Sequence, residues 1–98
     1  MRIRILPSAI EDLVDGFRFY DSQVSGLGSY FLETMYSEIE SLKLYSGIHI
    51  KVFGYHRLLS KRFPFAIYYH KDSKNIYINA ILDCRRDPEW IKEKLKDL

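Results

Sequence analysis

The 98-residue chain has one cysteine, three prolines and five glycines, and these shortages close off several classes of protein. A lone thiol, Cys84, excludes an intrachain disulfide framework and fits a reducing compartment. It cannot build a structural zinc site, and His49, His56 and His70 show no ligand spacing, so no metal or other cofactor is expected. No apolar run approaches the ~18 residues that a membrane-spanning helix needs. The stretch Met1–Pro7 is too short and interrupted for a signal peptide, and the expected location is the cytoplasm. There is no G-x-S-x-G turn and no glycine-rich phosphate loop. No internal repeat or low-complexity segment is visible.

What remains is a composition 47% hydrophobic and 29% charged, that of one folded domain with a single core. The net charge of +2 is unevenly spread. Residues 1–54 carry five Lys/Arg against seven Asp/Glu, and residues 55–98 carry ten against six. A basic C-terminal half favours an anionic partner.

Arg2–Leu6 alternates, with Ile3 and Ile5 on one side, which predicts a strand ended by Pro7. Ser8-Ala9-Ile10-Glu11 fits a capping box, and Ile10, Leu13, Val14 and Phe17 continue at helical spacing, giving a helix over 8–23. Ser25–Gly28 breaks it. A second stripe (Phe31 or Leu32, Met35, Tyr36, Ile39, Leu42) predicts a helix over 28–45, and the two helices read as a hairpin packed on a sheet. Phe17, Tyr20, Tyr30, Phe31 and Tyr36 fall on these stripes and are assigned to the core.

Residues 46–56 read as a connector. Three strand-like runs follow, at Arg57–Lys61, Phe65–Lys71 and Ile76–Cys84, separated by Arg62-Phe63-Pro64 and by Asp72-Ser73-Lys74-Asn75, a loop rich in turn formers. On the third run Ile76, Ile78, Ala80, Leu82 and Cys84 share one apolar face. That face is expected on the helices, with Cys84 a buried, inert thiol; Tyr77, Asn79, Ile81 and Asp83 form a partly open face. Asp87-Pro88-Glu89 starts a short C-terminal helix, with Asp87 as N-cap and Pro88 at N1. The order is β-α-α-β-β-β-α: an α+β domain with a small, mainly antiparallel sheet, a helical hairpin on one face and a short last helix.

Six of the fifteen basic residues, Arg57, Lys61, Arg62, Lys71, Arg85 and Arg86, lie on the strands or at their borders. With His56, His70 and Tyr69 nearby, they hold the groups that metal-free RNA cleavage needs: a base for the 2′-OH, a cation for the phosphate and an acid for the leaving oxygen. Asp83 and Asp87 flank the two arginines and offer them ion pairs instead.

Three stretches, Pro7–Leu13, Arg57–Tyr69 and Ala80–Pro88, occur in an order and at a spacing that resemble the RelE/ParE superfamily of type II toxin–antitoxin toxins, over Ile3 to about Leu95. The resemblance implies a toxin neutralised by a cognate antitoxin that wraps around it, with operator DNA contacted through the antitoxin. RelE-type members cut messenger RNA on the ribosome, and here that activity would fall to Arg57, Lys61, Arg62, His70 and Arg85. ParE-type members poison DNA gyrase by binding. After Arg85-Arg86-Asp87-Pro88 this chain continues Glu89-Trp90-Ile91 and lacks the C-terminal Tyr or His often found in RelE-type members, which leans the resemblance towards ParE.

Overall fold

The computed structural model describes residues 1–98. Its elements run β1 (Arg2–Ile5), α1 (Pro7–Gln23), α2 (Leu27–Tyr45), β2 (Lys51–Val52), β3 (Tyr55–Leu59), β4 (Phe65–Lys71), β5 (Asn75–Asp83) and α3 (Pro88–Lys96). This is the expected α+β order with one strand more. The five strands lie in the order β1-β5-β4-β3-β2. β1 runs parallel to β5 and every other pair is antiparallel.

Pro7 both ends β1 and opens α1, because its missing N–H suits the first helical position. The capping box does not form. Leu6 is the N-cap and no side chain caps it. The Ser8 hydroxyl instead donates to the Asn79 carbonyl on β5, at 2.7 Å. The helix starts at Pro7, so Ser8 sits inside its first turn rather than at the N-cap, and its hydroxyl serves a carbonyl of β5 beyond the residues that pair with β1.

Residues 46–56, expected as a connector, hold β2 and the start of β3, so β3 begins two residues earlier than the sequence indicates. Val52 pairs with Tyr55 across a two-residue turn, Phe53-Gly54, with both φ values positive at 52° and 89°. Such primed turns match strand twist but usually recruit Asn, Asp or Gly, so the sequence carries no turn signal. The preceding segment is tied down by Tyr69, whose hydroxyl accepts the Gly47 N–H at 2.9 Å and meets His49 Nδ1 at 2.5 Å. His56 Nδ1 donates to the His49 carbonyl at 2.7 Å. Burial in this cluster, with His56 beside it, holds the His49 imidazole below its ordinary value.

One irregularity decides which face each β5 residue occupies. Tyr68 pairs with Ala80 but Tyr69 pairs with Ile78, which leaves Asn79 as an extra residue. A bulge shifts the side-chain alternation by one. Ile76 and Ile78 therefore share the hairpin face with Ile81, while Ala80 and Leu82 turn to the other side. The single apolar face expected from strict alternation is split, and Ile81, expected on the open face, is buried. The bulge is polar but satisfied: the Asn79 carbonyl takes Ser8, and its side-chain oxygen lies 2.9 Å from His70 Nδ1.

Two cores result. The larger packs Leu13, Phe31, Met35, Ile39 and Leu42 of the helices against Phe65, Ile67, Tyr69, Ile76, Ile78 and Ile81. The smaller seats Ile91 and Leu95 of α3 on Ala66, Tyr68, Ala80 and Leu82. Tyr20 and Phe31 are core residues as expected, but Tyr30 and Tyr36 are exposed. Tyr30 lies against Phe63 of the β3–β4 turn, and Tyr36 lies on the rim between α1 and α2.

Candidate functional site

The five residues of the RelE-like set come from different parts of the sheet, and the structure does not gather them. Arg57, at the centre of β3, lies across from Tyr68 and opens on a cavity beside α3. Lys61 and Arg62 lie on the β3–β4 turn and lean towards α2. The Lys61 N–H donates to a Glu38 carboxylate oxygen at 3.0 Å, and Arg62 donates to the Tyr30 hydroxyl at 2.7 Å. They share a cavity of about 360 Å³ with Glu33 and Glu38, whose charges oppose theirs. His70 stacks on Tyr77 with ring centroids 4.7 Å apart and is held by Asn79. Arg85 is bound bidentately by Asp83, with Nε and Nη2 at 3.0 and 2.7 Å from the two carboxylate oxygens.

That last pair answers the alternative left open by the sequence. The Arg85 side chain and backbone, together with the Arg86 charge, hold the Asp83 carboxyl below its usual range. Asp87 pairs with neither arginine; it caps α3 by accepting the Glu89 N–H at 2.8 Å, as its position before Pro88 predicts. Arg86 stacks its guanidinium 3.9 Å above the Trp90 ring. Cys84, placed by alternation in a buried face, is exposed just beyond the end of β5. Crowding around its sulfur still pushes the thiol up, away from a reactive thiolate.

Asp12, on α1, has a role that only the fold creates. Its carboxylate accepts the Ile81 N–H at 2.9 Å, serving the part of β5 that β1 does not reach. Burial raises this carboxyl from 3.8 to about 6, against the pull of that hydrogen bond and of Lys94. The folded value exceeds the unfolded one, so stability falls as pH rises from about 4 to 6, where the folded chain still holds the proton. A two-unit shift corresponds to about 3 kcal/mol, and screening at this partly exposed group reduces it to about 1–2 kcal/mol. Asp12→Asn keeps an oxygen for Ile81. It should be more stable than the parent by that amount at pH 7.5 and equal to it near pH 3.5. Urea melts at the two pH values check this, and a constant difference would mean that Asp12 is not the titrating group.

The other feature of the surface is apolar. Ile10, Leu13, Val14 and Phe17 of α1 and Leu32 and Tyr36 of α2 line a groove of about 210 Å³ on the outer side of the hairpin, with no polar residue among them. Ile10, Val14 and Tyr36 are each exposed by more than two fifths. The helices approach closely there because Gly28 lets α2 pass α1: a Cβ on it would lie 2.7 Å from the Phe17 carbonyl oxygen. Leu13 is buried at its floor, and the apolar strip exposed over it is a candidate interaction surface.

No family model and no curated protein matches the chain. Among solved structures, one described as a chromosomal ParDE TA system from P. aeruginosa is similar to it, with a TM-score of 0.69 and 20% identity over 83% of this chain and 92% of that one. No helix is long and apolar enough to cross a membrane. Identity at that level speaks to fold alone: the chain shares the fold of that structure, with the strand order and helical hairpin described above.

Proposed function

We propose that the chain is the toxin of a type II toxin–antitoxin pair, acts in the cytoplasm as ParE-type toxins do by binding DNA gyrase, and is neutralised by a cognate antitoxin. The observation that carries this reading is the open apolar groove across α1 and α2 on a toxin-like fold. Its six residues follow two helix axes, and an amphipathic helix with apolar side chains at i, i+3 or i+4, and i+7 is the partner shape that fills such a groove. The neutralised complex contacts its operator through the antitoxin.

Binding is favoured over cleavage by the scattering of the candidate cations. Phosphoryl chemistry needs its groups within hydrogen-bond reach of one phosphate. Here Arg85 is committed to Asp83, His70 to Asn79, and Lys61 and Arg62 face α2. The test is pulse labelling in a bacterial host after induction of this chain alone. Thymidine incorporation should fall within the first minutes while amino-acid incorporation persists. If amino-acid incorporation falls first, the ribosome is the target and an RNA-cleaving reading replaces this one. If neither falls, the chain is not a toxin of either type.

A further inference from the structure

The cavity that receives Arg57 has a composition unlike the rest of the surface. It measures about 270 Å³ and lies on the α3 side of the sheet, opposite the helical hairpin. Arg57 and Arg86 line it with Tyr68 and Cys84, Phe53 and Ile91 are among its apolar walls, and no carboxylate takes part. Neither guanidinium is in an ion pair; the ion pairs of the molecule are Lys43–Glu40 and Arg85–Asp83. Arg57 Nε is shut off from solvent and bonds nothing. A buried N–H donor without an acceptor is costly and rare, and it leaves the guanidinium that borders the cavity under-partnered.

Three further features prepare the cavity for an anion. Stacking on Trp90 fixes the plane of the Arg86 guanidinium while leaving its in-plane N–H groups free to donate. Tyr68 is only 2% exposed, and its hydroxyl lies beside the Arg57 guanidinium and the Cys84 thiol. Phe53 keeps an exposed ring at the cavity although its backbone φ of 52° is one that aromatic residues avoid. Packing within the fold does not account for that ring, which is 48% exposed.

We propose that this cavity binds the phosphate-monoester end of a small ligand that carries a flat apolar group, with Arg57 and Arg86 bidentate on the phosphate, Tyr68 donating to it and Phe53 against the flat group. Two guanidiniums match the dianionic charge of a monoester. An internal phosphodiester carries one charge and bulky substituents on both sides, and it does not fit end-on against a tyrosine this deeply set. The site is distinct from the apolar groove and does not depend on the toxin reading.

The experiment is a calorimetric and ³¹P NMR titration of the full chain with phenyl phosphate, and in parallel with dimethyl phosphate as the diester. Phenyl phosphate should bind saturably, and the diester at least about tenfold more weakly. Arg57→Gln and Arg86→Gln should each weaken phenyl phosphate binding by about tenfold or more, and Tyr68→Phe by severalfold. Arg18→Gln, an exposed change on α1, should leave it unchanged. Because Arg86 is exposed, its variant stays folded even if Arg57→Gln does not, and a thermal melt of each variant verifies this. Equal binding of the diester, equal loss in Arg18→Gln, or no saturation by about 10 mM phenyl phosphate each overturns the proposal. None of these results bears on gyrase, which the labelling experiment addresses separately.

Discussion

Phe31→Ala should cost about 3–5 kcal/mol of folding stability, a large part of the roughly 5–15 kcal/mol that holds a domain of this kind together. Phe31 is fully buried and its ring centre lies 5.3, 5.2 and 5.0 Å from those of Tyr20, Phe63 and Phe65. It therefore joins α2 to α1, to the β3–β4 turn and to β4 at one point. The pocket for it exists because position 16 is glycine: a Cβ there would sit 2.5 Å from the ring. Gly16→Ala should thus destabilise the parent by about 1–3 kcal/mol but cost much less when Phe31 is already alanine. Urea melts of the parent, the two single variants and the double variant measure the coupling. If the two changes simply add, Gly16 is not there for Phe31 and the account of the hairpin contact is wrong.

Val14→Asp should leave folding intact and abolish neutralisation. Val14 is 41% exposed in the middle of the α1 row of the groove, so the folded chain alone accepts a carboxylate there at a cost within about 0.5 kcal/mol. Once a partner helix covers it, the charge has no counter-ion among Ile10, Leu13, Phe17, Leu32 and Tyr36. Loss at a central contact of this kind typically costs about 2–4 kcal/mol, or on the order of 30- to 1000-fold in Kd. Co-expression with the cognate antitoxin reads it directly: the parent should be rescued and Val14→Asp should still arrest growth. Rescue of the variant would place the antitoxin on another face and remove the observation on which the proposed function rests.

The contrast between α1 and β5 shows where a sequence can be read and where it cannot. The helices were legible nearly to the residue, because their apolar periodicity and their breakers are local. The turn at Asp72–Asn75 was legible for the same reason, with the Asp72 carboxylate accepting the Lys74 and Asn75 N–H groups at 2.8 and 2.7 Å. Asp87 and Pro88 announced α3. On β5 alternation failed at Asn79, because a bulge is a property of two paired strands and leaves no mark on one. Ser8 illustrates the same limit: its capping box was sound local chemistry, but the helix starts one residue earlier, at Pro7, and the hydroxyl donates to a carbonyl on β5.

For function the division is similar. The number and kind of basic residues, and their concentration in the second half, were visible in the chain. Which of them are free was not, since an arginine two residues from an aspartate in sequence and one facing open space look alike until the backbone turns. The sequence by itself determined the α+β order and both long helices, because those follow from periodicity and breakers. Only the tertiary structure decided that Arg85 is spent on Asp83, that Arg57 and Arg86 are unpaired in one cavity with Tyr68, and that the outer flank of the hairpin stays open. Those outcomes depend on strand register and on which side chains meet across the sheet, distances that exist only once the chain has closed on itself.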